Sequence, residues 1–544
     1  MEKIYKGIII DVIQKRKYKG EIVVENNRIE SIRECDNDSN DFILPGLIDA
    51  HVHIESSMTV PSSFAQLVVP CGTVAVVSDP HEIANVVGEE GIDYMIKNAN
   101  RVPLKVYFGV PSCVPATPFE SSGCVLDEKI VDKLLARNDL HFLSEMMNFP
   151  GVIYDFPDVK AKIESAHKHK KLIDGHAPGL RGKDLIKYIQ AGISTDHECF
   201  SYEEAKEKIQ NGMKVLIREG SAAKNFDELY PLIDEFPNMV MLCTDDSHPD
   251  TLITEGHIDR LLKRGIEKGV DIFNLLTAAI VNPVKHYGLS VGLLHKGDPA
   301  DFIVVDDLKS FNVKQTVIEG VPVFENGEVL FANNETQIIN YFNREKINMG
   351  DVAFNAQKGK IRVITATDGD LITGQELHEP LVKDGNIVSD TDRDILKMAV
   401  MSRYKNEPVQ IGFIKNIGLK KGAIASSIAH DSHNIIAVGV SDADIVSVVN
   451  KLIENKGGIV VGDNKEQLSL ELEIAGLMTR KNGKDVAVLY NQLIEKAREF
   501  GSSLSSPFMT IAFMSLLVIP ELKLGDKGLF DVNKFNFVDV FVEE

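Results

Sequence analysis

Eight short apolar runs constrain this chain most, because each is too short for a helix and each is followed by room for one. They begin near residues 47 (LIDAHVH), 73 (TVAVVSD), 104 (LKVYFGV), 141 (HFLSEM), 172 (LIDGH), 192 (GISTDH), 213 (MKVLIRE) and 239 (MVMLCTD). Their start-to-start spacings are 26, 31, 37, 31, 20, 21 and 26 residues. Each gap holds one crossover helix, which parallel strands need. Gly91 to Asn100 reads as one such helix. Ser201 to Gln210 reads as another, opening with Ser201 and Glu204 in capping-box spacing. Eight such units in about 245 residues fit a (β/α)8 barrel, with a doubly wound open sheet as the rival topology.

Two β-patterned zones flank this α/β middle. Near the start, Ile8-Ile9-Ile10 and Glu21-Ile-Val-Val-Glu25 are followed by an Asn26-Asn27 turn. The pattern returns at 301–332 with Asp301-Phe-Ile-Val-Val-Asp306 and a Glu325-Asn-Gly327 turn. One small β-sandwich interrupted by the middle is the economical reading, with two unrelated hairpins as the alternative. The expected domains are therefore 1–45 with 291–344 as a composite β-sandwich, 46–290 as the barrel, and 345–544 as a further α/β domain. In that last domain, Asp442 to Glu454 and Lys465 to Met478 read as helices.

Composition narrows the class. The 544 residues carry 59 Lys+Arg against 80 Asp+Glu, a net charge of −21. Such a surface repels phosphate backbones, so no nucleic-acid partner is expected, although a nucleobase is not excluded. The six cysteines form no CxxC pair and suit a reducing cytoplasm. No stretch approaches the ~20 apolar residues that span a bilayer, so no membrane partner is expected. The apolar run Ile511 to Ile519 is broken by Ser515, stopped by Pro520, and reads as a buried segment. A homo-oligomer, dimer or higher, is expected.

The chemistry gathers where the runs end. His51 and His53 lie two apart on a strand, so both imidazoles face one side. Glu145 lies on the fourth run, and His176, His197 and Asp245 end the fifth, sixth and eighth. Four histidines and two carboxylates suit zinc, manganese or iron. Six ligands exceed one tetrahedral site, and two divalent ions sharing a carboxylate use them more naturally. Taken singly, each residue has a plainer reading: a satisfied histidine, or a helix-capping aspartate. Asp246 competes with Asp245 for its role, and the strand phase of Cys243-Thr-Asp favours Asp245.

The stretch Leu44-Pro-Gly-Leu-Ile-Asp-Ala-His51-Val-His53 resembles the PGxIDxHxH signature of the amidohydrolase superfamily. Gly297-Asp-Pro-Ala-Asp301 resembles the return to that superfamily's β-sandwich. Within it, the whole chain is most similar to the adenine deaminase family. The segments that carry this include Ser78-Asp-Pro-His81-Glu82, Ser144-Glu145-Met-Met-Asn-Phe-Pro-Gly151, Asp174-Gly-His176-Ala-Pro-Gly179 and Asp196-His197-Glu198-Cys199. Cys243-Thr-Asp245-Asp-Ser-His-Pro-Asp250, His430-Asp-Ser-His433-Asn434 and Ser506-Pro-Phe-Met-Thr510 follow.

The resemblance implies that His51 and His53, with Asp245, bind the more buried ion. It implies that His176 and His197 bind the second, and that Glu145 bridges the two where many relatives use a carbamylated lysine. It implies manganese, with iron or zinc as alternatives. The implied reaction is hydrolytic deamination of adenine to hypoxanthine and ammonia. Water acidified by the ions would attack C6, with Asp245 as catalytic base.

His81 and Glu82 read either as purine contacts or as a helix-start pair. His430 and His433 read as pocket-closing residues or as a turn with two solvated histidines. Arg218, beside Glu219, reads as a support for the site or a surface ion pair. His167 and His169, in a Lys/His run, read as a solvated face. The rival functions are another amidohydrolase acting on a cyclic amide or N-acyl group, and a scaffold without catalysis.

Overall fold

The computed structural model describes residues 2–221, 223–333 and 337–542. Strands β1 (Lys3–Asp11), β2 (Arg16–Glu25), β3 (Arg28–Glu34) and β4 (Phe42–Pro45) precede the eight apolar runs. Those runs become β5 (Leu47–Val52), β6 (Thr73–Ser78), β7 (Lys105–Phe108), β8 (Phe142–Met146), β9 (Leu172–Gly175), β10 (Thr195–Asp196), β11 (Lys214–Arg218) and β12 (Val240–Cys243). No start differs from its expected position by more than three residues.

Parallel ladders join β5 to β6 to β7, β8 to β9, and β10 to β11 to β12. Single parallel bridges link these groups: Val110 with Leu143, Ile173 with Ile193, and Val52 with Asp245. The last returns the series to its first strand, so the eight strands form a ring and not an open sheet. Their side chains are almost all buried, as expected for parallel strands covered on both faces.

Strands β13 (Phe302–Val305), β14 (Val313–Ile318), β15 (Val321–Glu325) and β16 (Glu328–Val329) extend a sheet in the order β16-β15-β14-β13-β4-β1-β2-β3. β13 runs antiparallel to β4 in register Phe302 to Pro45, so chain from both sides of the ring shares one sheet. A separate nine-stranded sheet occupies the C-terminal third, its middle made by Gln410–Lys415, Ile395–Met401, Ile435–Gly439 and Ala423–Ser426.

One helix expectation there is corrected. Asp442–Asn455 is helical, but Lys465 to Met478 is not: Gln467–Glu471 is a strand paired antiparallel with Gly458–Gly462. Leu468, Leu470 and Leu472 repeat with period two, and pairing at the sheet margin outweighs the helix propensity of the surrounding Lys, Glu and Leu. The run Ile511 to Ile519 is buried as expected. Among the described residues, no helix is long and apolar enough to cross a membrane.

Candidate metal centre

The ring's closure sets the first ligands. Asp245 lies just beyond β12 with φ of 56°, a left-handed conformation that an aspartate adopts more readily than most side chains. Its N–H donates to His51 O at 2.9 Å, and its carbonyl accepts from His53 N–H at 3.2 Å. Asp49 reinforces the seam, accepting from the N–H groups of His51 and Thr244. The carboxylate of Asp245 therefore faces the imidazoles of β5, with Oδ1 3.4 Å from His51 Nε2 and 3.1 Å from His53 Nε2. Asp246 turns away, accepting from Ser56 Oγ at 2.6 Å. His53 Nδ1 lies 3.2 Å from the carbonyl of Asp79, which fixes the tautomer and leaves the Nε2 lone pair for the centre.

Glu145 projects from β8 between two groups of histidines. Its Oε1 lies 3.3 Å from His53 Nε2 and 3.4 Å from His81 Nδ1. Its Oε2 lies 2.8 Å from His176 Nδ1 and 3.3 Å from His197 Nε2. Tyr188 holds both sides of this arrangement: its hydroxyl donates to Met146 O at 2.8 Å and accepts from His176 N–H at 3.1 Å. Gly175, just before His176, is obligatory, since a Cβ there would collide with Thr195 O and meet Ile193 Cγ2 at 2.6 Å. Lys208, fully buried on the helix Tyr202–Gln210, donates to Asp196 at 2.7 Å and to Glu204 at 2.6 Å, anchoring the strand end that carries His197. Ser201 caps that helix through Glu204 N–H, whereas the Glu204 carboxylate accepts from Gly179 and Phe200 and does not close a capping box.

Arg218, at the end of β11, is buried and is no surface ion pair. Its Nη1 donates to Asp245 Oδ2 at 2.6 Å and to Glu198. Burial alone would raise the Asp245 carboxyl, but the guanidinium and the two histidines hold it well below the usual range. Burial likewise opposes ionisation of Glu145, and His176, His197 and His53 outweigh it.

The donor atoms fall into overlapping sets whose members lie within 4.8 Å of one another: His51, His53 and Asp245; His51, Glu145 and His197; His176, His197 and Glu198; and His53, Asp79, His81 and Glu145. His197 Nε2 is buried and has no hydrogen-bond partner. Imidazoles and carboxylates converging with an unpaired imidazole nitrogen fit a divalent-metal site.

A cavity of about 50 Å³ opens over these groups. Glu82, His430 and Asp431 line it beside the ligand set. His430 Nδ1 is 3.9 Å from Glu82 Oε1, and His81 Nε2 is 3.6 Å from Asp431 Oδ1. His433 is buried behind His430, with ring centroids 5.7 Å apart, and does not line the cavity. His167 and His169 lie on the surface side, bonding Ala191 O and Asp132.

Sequence reasoning missed Asp79, Glu198 and Asp431, each adjacent to or two residues from a residue it had singled out, and weighed Asp246 only as the rival of Asp245. It also missed the apolar wall of Leu371, Phe513, Leu516, Val518 and Ile519. These read only as core, because apolar residues that face a ligand carry no distinguishing pattern.

Residues 42–323 match the amidohydrolase family model, and residues 370–536 match that of the adenine deaminase C-terminal domain. The chain is 67% identical to the adenine deaminase of Methanosarcina mazei, over 100% of both chains. It is 67% identical to that of Methanosarcina barkeri, over 99% of this chain and 100% of the relative. It is 50% identical to that of Salinibacter ruber, over 99% and 98%.

Proposed function

The chain belongs to the adenine deaminases of the amidohydrolase family, and from that membership we propose how its residues carry out the reaction. It hydrolyses adenine to hypoxanthine and ammonia: water adds at C6, the bond from C6 to the exocyclic nitrogen breaks, and ammonia leaves.

The observation that carries the site assignment is the position of Glu145, with one carboxylate oxygen toward His53 and the other toward His176 and His197. His51, His53 and Asp245 would hold one divalent cation and His176 and His197 a second, with Glu145 within reach of both sets. Manganese suits this all-nitrogen-and-oxygen set, with iron or zinc as the alternatives. When bound, such cations supply Lewis acidity that makes water a nucleophile near neutral pH.

The remaining work belongs to the chain. Asp245 takes one proton from the attacking water and passes it to the ring, then takes the proton of the new C6 hydroxyl and passes it to the amine as the C–N bond breaks. Arg218 keeps that carboxylate ionised and aimed by gripping Oδ2. His81, Glu82 and His430 face the polar edge of the purine. Burial pulls the pKa of His430 down, but Asp431, Glu82 and Asp246 outweigh it and raise it to about 9, so His430 is charged near neutral pH and donates a hydrogen bond to the purine. His433 acts behind it as packing.

The fold reading is a (β/α)8 barrel over 46–290, with 1–45 and 291–344 forming one composite β-sandwich and 345–544 a C-terminal α/β domain. The closing bridge at Val52 and Asp245 and the pairing of β4 with β13 support it. The free cysteines support a cytoplasmic location.

The test is ammonia release from adenine after manganese reconstitution, with metals counted in the same sample. Turnover at close to two ions per chain is expected. Opening of a cyclic amide without ammonia release from adenine would overturn the reading.

A further inference from the structure

The C-terminal third roofs the cavity. Leu371, Phe513, Leu516, Val518 and Ile519 line it from above, and the ring of Phe513 stacks on His430 with centroids 4.9 Å apart and planes 20° apart. Leu371 and Phe513 lie on separate stretches of chain, one in a loop before Gly374–His378 and the other ending the helix Pro507–Phe513. One side chain ties them together. Lys523, on the strand Leu522–Gly525, donates from Nζ to Leu371 O at 2.8 Å and to Phe513 O at 3.0 Å.

Lys523 is an expensive residue for its place. It is fully buried, and among the described residues no carboxylate comes within ion-pair distance of it. An apolar side chain would fill the same volume without the loss of hydration. Its distinguishing contribution is to fix the backbone behind two walls of one cavity. The neighbouring chain works to the same end: Thr373 Oγ1 donates to Leu522 O at 2.9 Å, and Thr373 N–H to Pro520 O at 3.0 Å.

Leu371 also borders a second cavity, of about 370 Å³, lined by Phe200, Asn225 and Asp368 and sharing Arg218 with the inner one. Leu371 thus lies on the wall shared by this cavity and the one of about 50 Å³. Arg218, which grips Asp245, lines both cavities with Leu371, so Leu371 shares a wall with the residue that holds the proposed base.

We propose that Lys523 is a positioning residue for this roof and that Leu371, held by it, determines which 6-substituted purines are accepted. The proposal rests on the adenine-deaminating reading above. A substituent on the exocyclic nitrogen meets Leu371, and a roof that has lost its tether binds the ring poorly without altering the bond-breaking groups below.

The test uses the manganese-reconstituted full chain as wild type, L371A, K523M and K523R, each assayed with adenine and N6-methyladenine and analysed for metal. L371A is expected to raise the ratio of kcat/KM for N6-methyladenine over adenine by about tenfold or more, the scale on which a pocket discriminates small apolar groups. K523M is expected to raise KM for adenine about tenfold, the scale of leaving buried carbonyls unpaired, with kcat and metal content near wild type and K523R between the two. An unchanged ratio in L371A, or a K523M enzyme that loses kcat and metal while KM stays constant, overturns the proposal. If K523M yields no folded protein, L371A decides alone. Absence of adenine turnover in the wild type overturns the functional reading and this proposal with it, whereas turnover with an unchanged L371A ratio overturns this proposal only.

Discussion

Two residues show how environment turns an ordinary side chain into a specific one. Asp245 has its backbone locked into the closing seam and its carboxylate held between Arg218 and two histidines, so its charge and aim are set before substrate arrives. Asp245→Asn keeps the shape and removes the proposed base. Turnover is expected to fall by at least about a hundredfold, the low end for a general base, while metal analysis still finds much of the metal bound. Full activity in the metal-loaded variant would contradict the role. Lys523 is the opposite case, a charge whose burial lowers its pKa to about 7 from an ordinary value of 10.5. Between those values the unfolded chain binds more protons than the folded one, so stability rises with pH there. Relative to K523M, the wild type should therefore gain stability from about pH 7 to about pH 10, by at most about 1.4 kcal/mol per unit. Urea unfolding of both proteins at the two pH values measures it, and a gap that stays constant would rule out the lowered pKa.

At the scale of elements, the site depends on struts that never touch substrate. Lys208 on the helix Tyr202–Gln210 neutralises Asp196 and Glu204 in a fully buried cluster next to His197. Lys208→Met leaves both carboxylates uncompensated and is expected to destabilise the protein by about 3–5 kcal/mol, as is usual when one partner of a buried pair is removed. Thermal unfolding checks the size, and metal analysis checks whether His197 remains in place. The elements were largely legible beforehand, because buried parallel strands separated by helices leave a spacing that no side-chain detail can hide. Where the pattern was local and ambiguous, as at Lys465 to Met478, helix-forming residues concealed a strand whose partner, Gly458–Gly462, supplies the deciding hydrogen bonds. The cap at Ser201 was readable, but Glu204 was drawn away from its expected partner by Gly179, Phe200 and Lys208, none of which is local to the helix start.

For the whole molecule, the proposed metal centre couples metal binding to the fold. Six candidate ligand groups, five buried and His176 half-buried, from five strands of the ring converge on one small volume, and cations that bind only this folded arrangement would stabilise it. Chelation is expected to abolish ammonia release and lower the unfolding temperature, and manganese is expected to restore both; an unfolding temperature indifferent to chelation would show that the ligands are not gathered in solution. The sequence by itself determined the number and order of the strands, and which of them end in histidine or carboxylate side chains. Periodicity and residue chemistry are properties of short stretches, and short stretches are what a sequence displays. Only the tertiary structure decided that Val52 and Asp245 close the ring, that Asp245 and not Asp246 faces His51 and His53, that Arg218 lies inside, and that residues beyond 370 roof the cavity. Those facts join positions up to several hundred residues apart. Their energy comes from contacts that exist only once the chain has folded, and so nothing in the local pattern records them.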